Sequence, residues 1–298
     1  MSVSTSSWES HIVEAAWLDA KIQSGDVSVV VVDMRGAVHV TTQPDGEQEA
    51  VYTGSKGEYA KGHIPGAVYL DWTEDITDPL DPIPVQVASA DRISEVLSSV
   101  GIGDDTCIIA YDAHPSLQFA TRLWWVCRYY GHANVRILNG GWNRWVAEGR
   151  PISTEVPKPE PAHFKATVQP DWRASALDVL DGLDSDAFVL IDARDEGQYT
   201  GKIKRGVRAG HIPGAINVPR ELIFKSAGVL KTPEELELQF KNAGIPLNAE
   251  RCHLAYCNGG VAATSVLFAL SILGCTRLCN YDGSWNEWNA EVSLPVEL

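Results

Sequence analysis

Cys257 stands where a short apolar run breaks into glycine. Leu254-Ala255-Tyr256 leads into Cys257-Asn258-Gly259-Gly260-Val261-Ala262-Ala263, and Thr264 to Leu273 continues as a helix-like apolar run ending near Gly274. The pattern reads as strand, tight loop, helix, with a thiol at the carboxyl end of the strand. In open α/β sheets that end is where ligands bind. Glycines let a loop curl until successive N–H groups converge, and the next helix adds the positive end of its dipole. Such a loop stabilises an anion at its centre and favours thiolate over thiol. The competing reading is a buried, inert thiol, a common fate of free cysteine.

The rest of the composition narrows what that sulfur could meet. The 298 residues are 45% hydrophobic and 21% charged, an ordinary globular balance for about two domains. A formal charge of -15 argues against nucleic-acid or anionic-membrane partners. A site for an anion must therefore be made positive locally, by loop amides or a few arginines. Six cysteines in a chain this long are not a disulfide scaffold. Cys275 and Cys279 lack the matching pair that a zinc site needs, so no metal is expected. No apolar run reaches membrane-spanning length. Met1 to His11 is Ser-rich and resembles neither a signal nor a transit peptide, so a reducing, cytoplasmic setting is expected.

The elements that must position Cys257 occur twice. Trp8 to Gln23 has helical periodicity, and Val27 to Asp33 is a β-branched run of the kind buried in parallel sheets. A polar connection follows from Gly36 to Lys61 and reads as a surface excursion. Ser89 to Gly101 and Ser116 to Tyr130 are predicted helices, and Cys107 to Tyr111 and Val135 to Leu138 are predicted strands. Phe188 to Arg194 then repeats the first strand with its Asp-x-Arg end, and Gly210 to Ala215 repeats Gly62 to Ala67 residue for residue. Cys252 to Tyr256 repeats Cys107 to Tyr111, and Asp282-Gly-Ser-Trp285-Asn-Glu-Trp288 repeats Asn139-Gly-Gly-Trp142-Asn-Arg-Trp145. One α/β unit has been duplicated. The expected layout is residues 1–150, a Pro-rich connector over 151–171, and residues 172–298. Within it, Asp112 stands where the second copy has Cys257, and His114-Pro115 stands for Gly259-Gly260. Proline supplies no N–H, so the first copy lacks both thiol and cradle.

Taken together, Asp192-x-Arg194, Gly210 to Ala215, the six-residue loop Cys257 to Ala262 and Tyr281 to Trp288 resemble a two-domain sulfurtransferase of the rhodanese family. With the degenerate first copy, the resemblance covers nearly the whole chain. It implies two doubly wound α/β domains, each a mainly parallel sheet flanked by helices, the first inactive and the second catalytic. It implies a Cys257 persulfide formed from a small-molecule sulfur donor, thiosulfate or mercaptopyruvate, and discharged to a thiophilic acceptor, cyanide or a thiol. No cofactor or metal is implied, because the intermediate is carried on the protein. The backbone amides of Asn258, Gly259, Gly260, Val261 and Ala262 would form the cradle. Arg194, Gln198 and Arg205 are the candidate donor-binding side chains, with Arg208 an alternative to Arg205. Trp285 is the candidate site wall, and Asp192 and His211 are candidate loop supports. Members using thiosulfate usually carry basic residues just after the cysteine, and members using mercaptopyruvate carry a hydroxyl there; Asn258-Gly259-Gly260 has neither. Both groups commonly have Arg in place of Gln198. A lost bidentate contact weakens anion binding, so reduced turnover with the usual donors is expected.

Two other functions compete. A Cys-based phosphatase needs an Arg closing its loop, and no Arg follows Cys257 before Arg277. A non-enzymatic persulfide carrier, fed by a partner protein, would tolerate poor binding of small donors.

Overall fold

The computed structural model describes residues 5–44 and 46–298; the expectation for the first four residues of the Ser-rich start falls outside them. Two five-stranded, wholly parallel sheets account for the duplicated unit. The first runs Ile12–Val13, Val135–Leu138, Cys107–Tyr111, Val29–Asp33, Val68–Tyr69. The second runs Arg173–Ala174, Leu278–Tyr281, Cys252–Tyr256, Phe188–Asp192, Ile216–Asn217. The spatial order is the same, and so is the central register, with Asp33 opposite Tyr111 and Asp192 opposite Tyr256. Helices cover both faces, which is why the central strands are unbroken apolar runs rather than alternating ones. Their starts follow the local chemistry. Ser89 accepts from the Arg92 amide ahead of Ala90–Ser99, and Thr232 with Glu235 forms a capping box ahead of Pro233–Asn242.

Two features differ from the periodicity reading. Trp8 to Gln23 is two helices, Thr5–His11 and Ala15–Gln23, separated by the strand Ile12–Val13. A two-residue strand leaves no period of its own, so the flanking helical pattern hid it. The connection from Gly36 to Lys61 contains an antiparallel hairpin, Gly36–Thr42 with Glu47–Gly54. Its second strand, Glu47–Gly54, pairs in parallel with Lys204–Arg205 of the second domain and becomes the centre of a three-stranded sheet across the junction. The Pro-rich connector is strapped along the first domain. His63 and Ser153 exchange backbone hydrogen bonds, Ala162 donates to the Ser98 carbonyl at 2.9 Å, and Gln169 donates to that of Tyr129 at 2.8 Å.

The domains join through two equivalent helices, Gln118–Tyr129 and Ala263–Ile272, each buried on almost every face. Trp124 meets the Phe268 ring edge-on at 5.2 Å. Thr121 Oγ1 lies 3.0 Å from Thr264 Oγ1 and 3.1 Å from Ser265 Oγ, so the hydroxyls at this buried seam satisfy one another. One apolar cluster runs through both halves. The helix Ala263–Ile272 that joins the domains also begins at the end of the Cys257 loop.

Candidate active site

Cys257 ends the strand Cys252–Tyr256, and its own N–H donates to Ser284 Oγ at 3.1 Å. Ser284 holds φ at 52°, an uncommon conformation for serine, and its hydroxyl donates to the Tyr281 carbonyl at 2.7 Å. Three carbonyls of the loop are engaged. Those of Cys257 and Asn258 accept from the amides of Trp285 and Asn286, and that of Gly260 accepts from Asn280 Nδ2 at 2.9 Å and Arg122 Nη1 at 3.2 Å. The amides are not. Among the described residues, none of the backbone N–H groups of residues 258–262 donates a hydrogen bond. A row of peptides with free N–H groups, at the start of a helix, has the chemistry to hold an anion. Glycine is required to make it. Gly260 has φ +71°, and a Cβ there would stand 2.6 Å from the Asp282 carbonyl oxygen. At Gly259 a Cβ would stand 2.7 Å from Val85 Cγ2.

The equivalent position in the first domain is closed from within. The Asp112 carboxylate accepts from the amides of His114 at 2.7 Å and of Phe119 and Ala120 at 2.8 Å each. Its carboxylate supplies an acceptor for the free helix-start amides. Burial pushes Asp112 up to about 7, against the pull of those amides.

Above Cys257 lies a cavity of about 300 Å³ between the domains. The hairpin contributes Gln48 and Tyr52, the first domain adds Trp72 and His114, and the second adds Gln198, Arg205 and Arg220. Cys257 is 3% exposed yet lines this cavity, as do Asn258, Gly259, Val261 and Ala262. Gln198 bridges the two domains, accepting from Asn258 Nδ2 and donating to Gln48 Oε1, both at 3.0 Å. Arg205 Nη2 donates to Tyr52 Oη at 3.1 Å.

Other candidates fall elsewhere. Arg194 does not line the cavity. It is 1% exposed, bound through Nε and Nη2 to Asp192, donating to the Gly210 carbonyl at 2.8 Å and stacked on Trp285 at 4.3 Å. Arg35 does the same with Asp33, Gly62 and Trp142 in the first domain, so the pair is a repeated structural brace and not a donor-binding group. Trp285 likewise is no cavity wall; its Nε1–H donates to the Arg205 carbonyl at 2.9 Å and it packs on Arg194. His211 orders the turn, stacked on Tyr199 at 3.8 Å with Nδ1 on the Tyr199 carbonyl. Asp192 does reach the strand that ends in Cys257, accepting from Tyr256 Oη at 2.6 Å. Arg208 is spent on the carbonyls of Trp288, Leu294 and Glu291. The sequence reading missed Arg122, His114, Tyr52 and Arg220. For Arg220 the repeat held a signal: it lies nine residues past His211, as Trp72 lies nine past His63, and both line the cavity.

Burial raises the thiols of Cys107, Cys127, Cys252, Cys275 and Cys279, which therefore stay protonated. Among the described residues no group of three or more His, Cys, Asp or Glu side chains is placed to hold a metal ion, and no helix is long and apolar enough to cross a membrane.

Comparison with known proteins matches both halves to one family. A rhodanese-like domain profile matches residues 14–148 and again 175–291. Thiosulfate sulfurtransferase of Rattus norvegicus is 34% identical over 284 residues, covering 93% of this chain and 91% of that protein. The 3-mercaptopyruvate sulfurtransferase of the same species is 33% identical over 238 residues, covering 78% and 79%. The crystal structure of SseA from Escherichia coli, described as a 3-mercaptopyruvate sulfotransferase, superposes with a TM-score of 0.79 at 30% identity, covering 92% of this chain and 98% of that one. The chain belongs to the rhodanese family: it is a tandem, two-domain α/β protein of the sulfurtransferase class.

Proposed function

We propose that this chain transfers a sulfane sulfur from thiosulfate to cyanide or a thiol through a persulfide on Cys257. The observation that carries the reading is the row of free amides beside a sulfur at the base of a cavity between the domains. The Cys257 thiolate attacks the outer sulfur of thiosulfate. A new S–S bond forms, the bond to the sulfonate sulfur breaks, and sulfite leaves with the electron pair. The persulfide anion then lies in the amide cradle, where fixed dipoles stabilise it without reorganisation. Attack by an acceptor thiolate or cyanide on its outer sulfur returns Cys257 to the thiolate and releases a persulfide or thiocyanate. The chemistry stays on the protein and calls for no cofactor.

Mercaptopyruvate is the second donor to test, because the relatives include enzymes named for each and the residues after Cys257 match neither group's habit. Either donor is a small anion, and the cavity suits one. The first domain, residues 1–150, acts as a scaffold with Asp112 in the nucleophile's place, the connector over 151–171 straps it, and residues 172–298 hold the chemistry. Free thiols suit a reducing compartment, and we place the chain in the cytoplasm.

The test is incubation with thiosulfate, and separately with mercaptopyruvate, followed by intact-protein mass spectrometry. Gain of one sulfur atom, absent from Cys257→Ser, is expected. Equal gain in Cys257→Ser would overturn the assignment. Sulfur accepted only from a protein persulfide would make the chain a carrier.

A further inference from the structure

The loop that follows Cys257 carries no cation, and the glutamine facing it, Gln198, has its amide committed to Asn258 and Gln48. Something else must hold the charge of an anionic donor in a chain whose net charge is -15. We propose that Arg220 is the donor-binding residue that takes over this task, acting with Arg205 of the strand Lys204–Arg205. This rests on the sulfurtransferase reading above and names the side chain that recognises its donor.

Three observations converge. Arg220 lines the same cavity as Cys257, Asn258 and Arg205. Its place is set by backbone, with its N–H on the Ala193 carbonyl at 3.2 Å, one residue past Asp192. Its Nε is buried and, among the described residues, has no hydrogen-bond partner. A buried guanidinium N–H without an acceptor costs free energy, and an anion in the cavity would relieve it. The guanidinium is not wholly idle: Nη2 lies 2.8 Å from Glu221 Oε1, a carboxylate half exposed on the same short turn. Asp195 is an acid that lines the cavity, and its Oδ1 already accepts from the Gln198 backbone N–H at 2.9 Å.

His114 reports the same field. The Ser116 amide donates to its Nδ1 at 3.1 Å, which leaves the proton on Nε2. Burial first, and Arg220 second, lower its pKa to about 4, so the cavity gains a neutral N–H donor and no histidine charge.

The double displacement lets binding and discharge be separated. Arg220→Met is compared with wild type for sulfur loading from thiosulfate in single turnover, read by mass spectrometry, and for unloading of the preformed persulfide by 2-mercaptoethanol, a neutral thiol. The expected result is a loading KM raised about tenfold or more with unloading unchanged, since one charge-assisted contact is lost. Arg220→Lys should restore part of the loss, and Glu221→Gln should lower the KM by freeing the guanidinium. Unchanged loading by Arg220→Met in a protein with wild-type circular dichroism and Tm overturns the assignment. So does equal slowing of loading and unloading, which would mark a structural role. Failure of wild type to load sulfur from any donor would instead sink the sulfurtransferase reading.

Discussion

Asp112 and Cys257 sit at equivalent strand ends and face equivalent loops, yet one is held by amides and the other only flanked by them. The Asp112 carboxyl group takes up the first loop's amides from inside, so they are engaged rather than free. It also has a pH signature. The folded state keeps a proton on Asp112 up to about 7, whereas the unfolded chain releases it near the ordinary value of 3.8. Stability from this group therefore falls as pH rises through that window. The loss reaches a few kcal/mol, since each tenfold change in proton affinity is worth about 1.4 kcal/mol. Asp112→Asn removes the titration. Denaturant melts at pH 5 and pH 8 should show the variant gaining on wild type at the higher pH. A constant difference between them would contradict the assignment.

At the scale of the element, the loop from Cys257 to Ala262 is shaped by contacts on its carbonyl side. Asn280, Arg122 and the amides of Trp285 and Asn286 hold its carbonyls, and the free N–H groups are the consequence. Gly260 is where this geometry is least forgiving, with φ +71° and the Asp282 carbonyl in the way of any Cβ. Gly260→Ala should destabilise the protein by about 1–3 kcal/mol and cut persulfide loading more than about tenfold, because it displaces the row of free amides. Thermal melts and the mass-spectrometric loading rate read the two effects separately. The hairpin of Gly36–Thr42 and Glu47–Gly54 makes the complementary contribution. It places Tyr52 against Arg205 and Gln48 against Gln198, so a wall of the second domain's site is built from the first domain's chain.

Across the whole molecule, Arg122 is the tie. It leaves the first domain's junction helix to meet Asp282, the Val85 carbonyl and the Gly260 carbonyl, and it is 1% exposed. Asp282 in turn accepts from the Val87 amide at 2.9 Å. Removing one partner of a buried ion pair leaves the other uncompensated, which typically costs about 3–5 kcal/mol. Arg122→Met should therefore lower the urea midpoint sharply and slow loading as well, through the Gly260 carbonyl. Arg122→Met leaves Asp282 only its longer pairing with Arg173 Nε at 3.7 Å, so adding Asp282→Asn should recover part of the stability. If the double variant is as unstable as the sum of the singles, the pair is not coupled as described.

Cys257, the Gly-Gly loop, the duplication and the vacated position at Asp112 were all legible in the amino-acid order, because each is a local pattern: an apolar period, a turn residue, a repeated string. The same strings misled where a short element had no period, as at Ile12–Val13, and where polar residues concealed the hairpin that pairs with Lys204–Arg205. Local pattern marked Arg205 and, through the repeat, carried a signal for Arg220, but it did not separate them from Arg194 and Arg208. Arg194 and Arg208 turn into the protein and are consumed by carbonyls and a carboxylate, while Arg205 and Arg220 line the space over the thiol. Residue type states what a side chain can bind. Its partners come from segments distant in the chain, and only the packing of the two domains against each other settles which arginines are consumed inside the protein and which border the cavity.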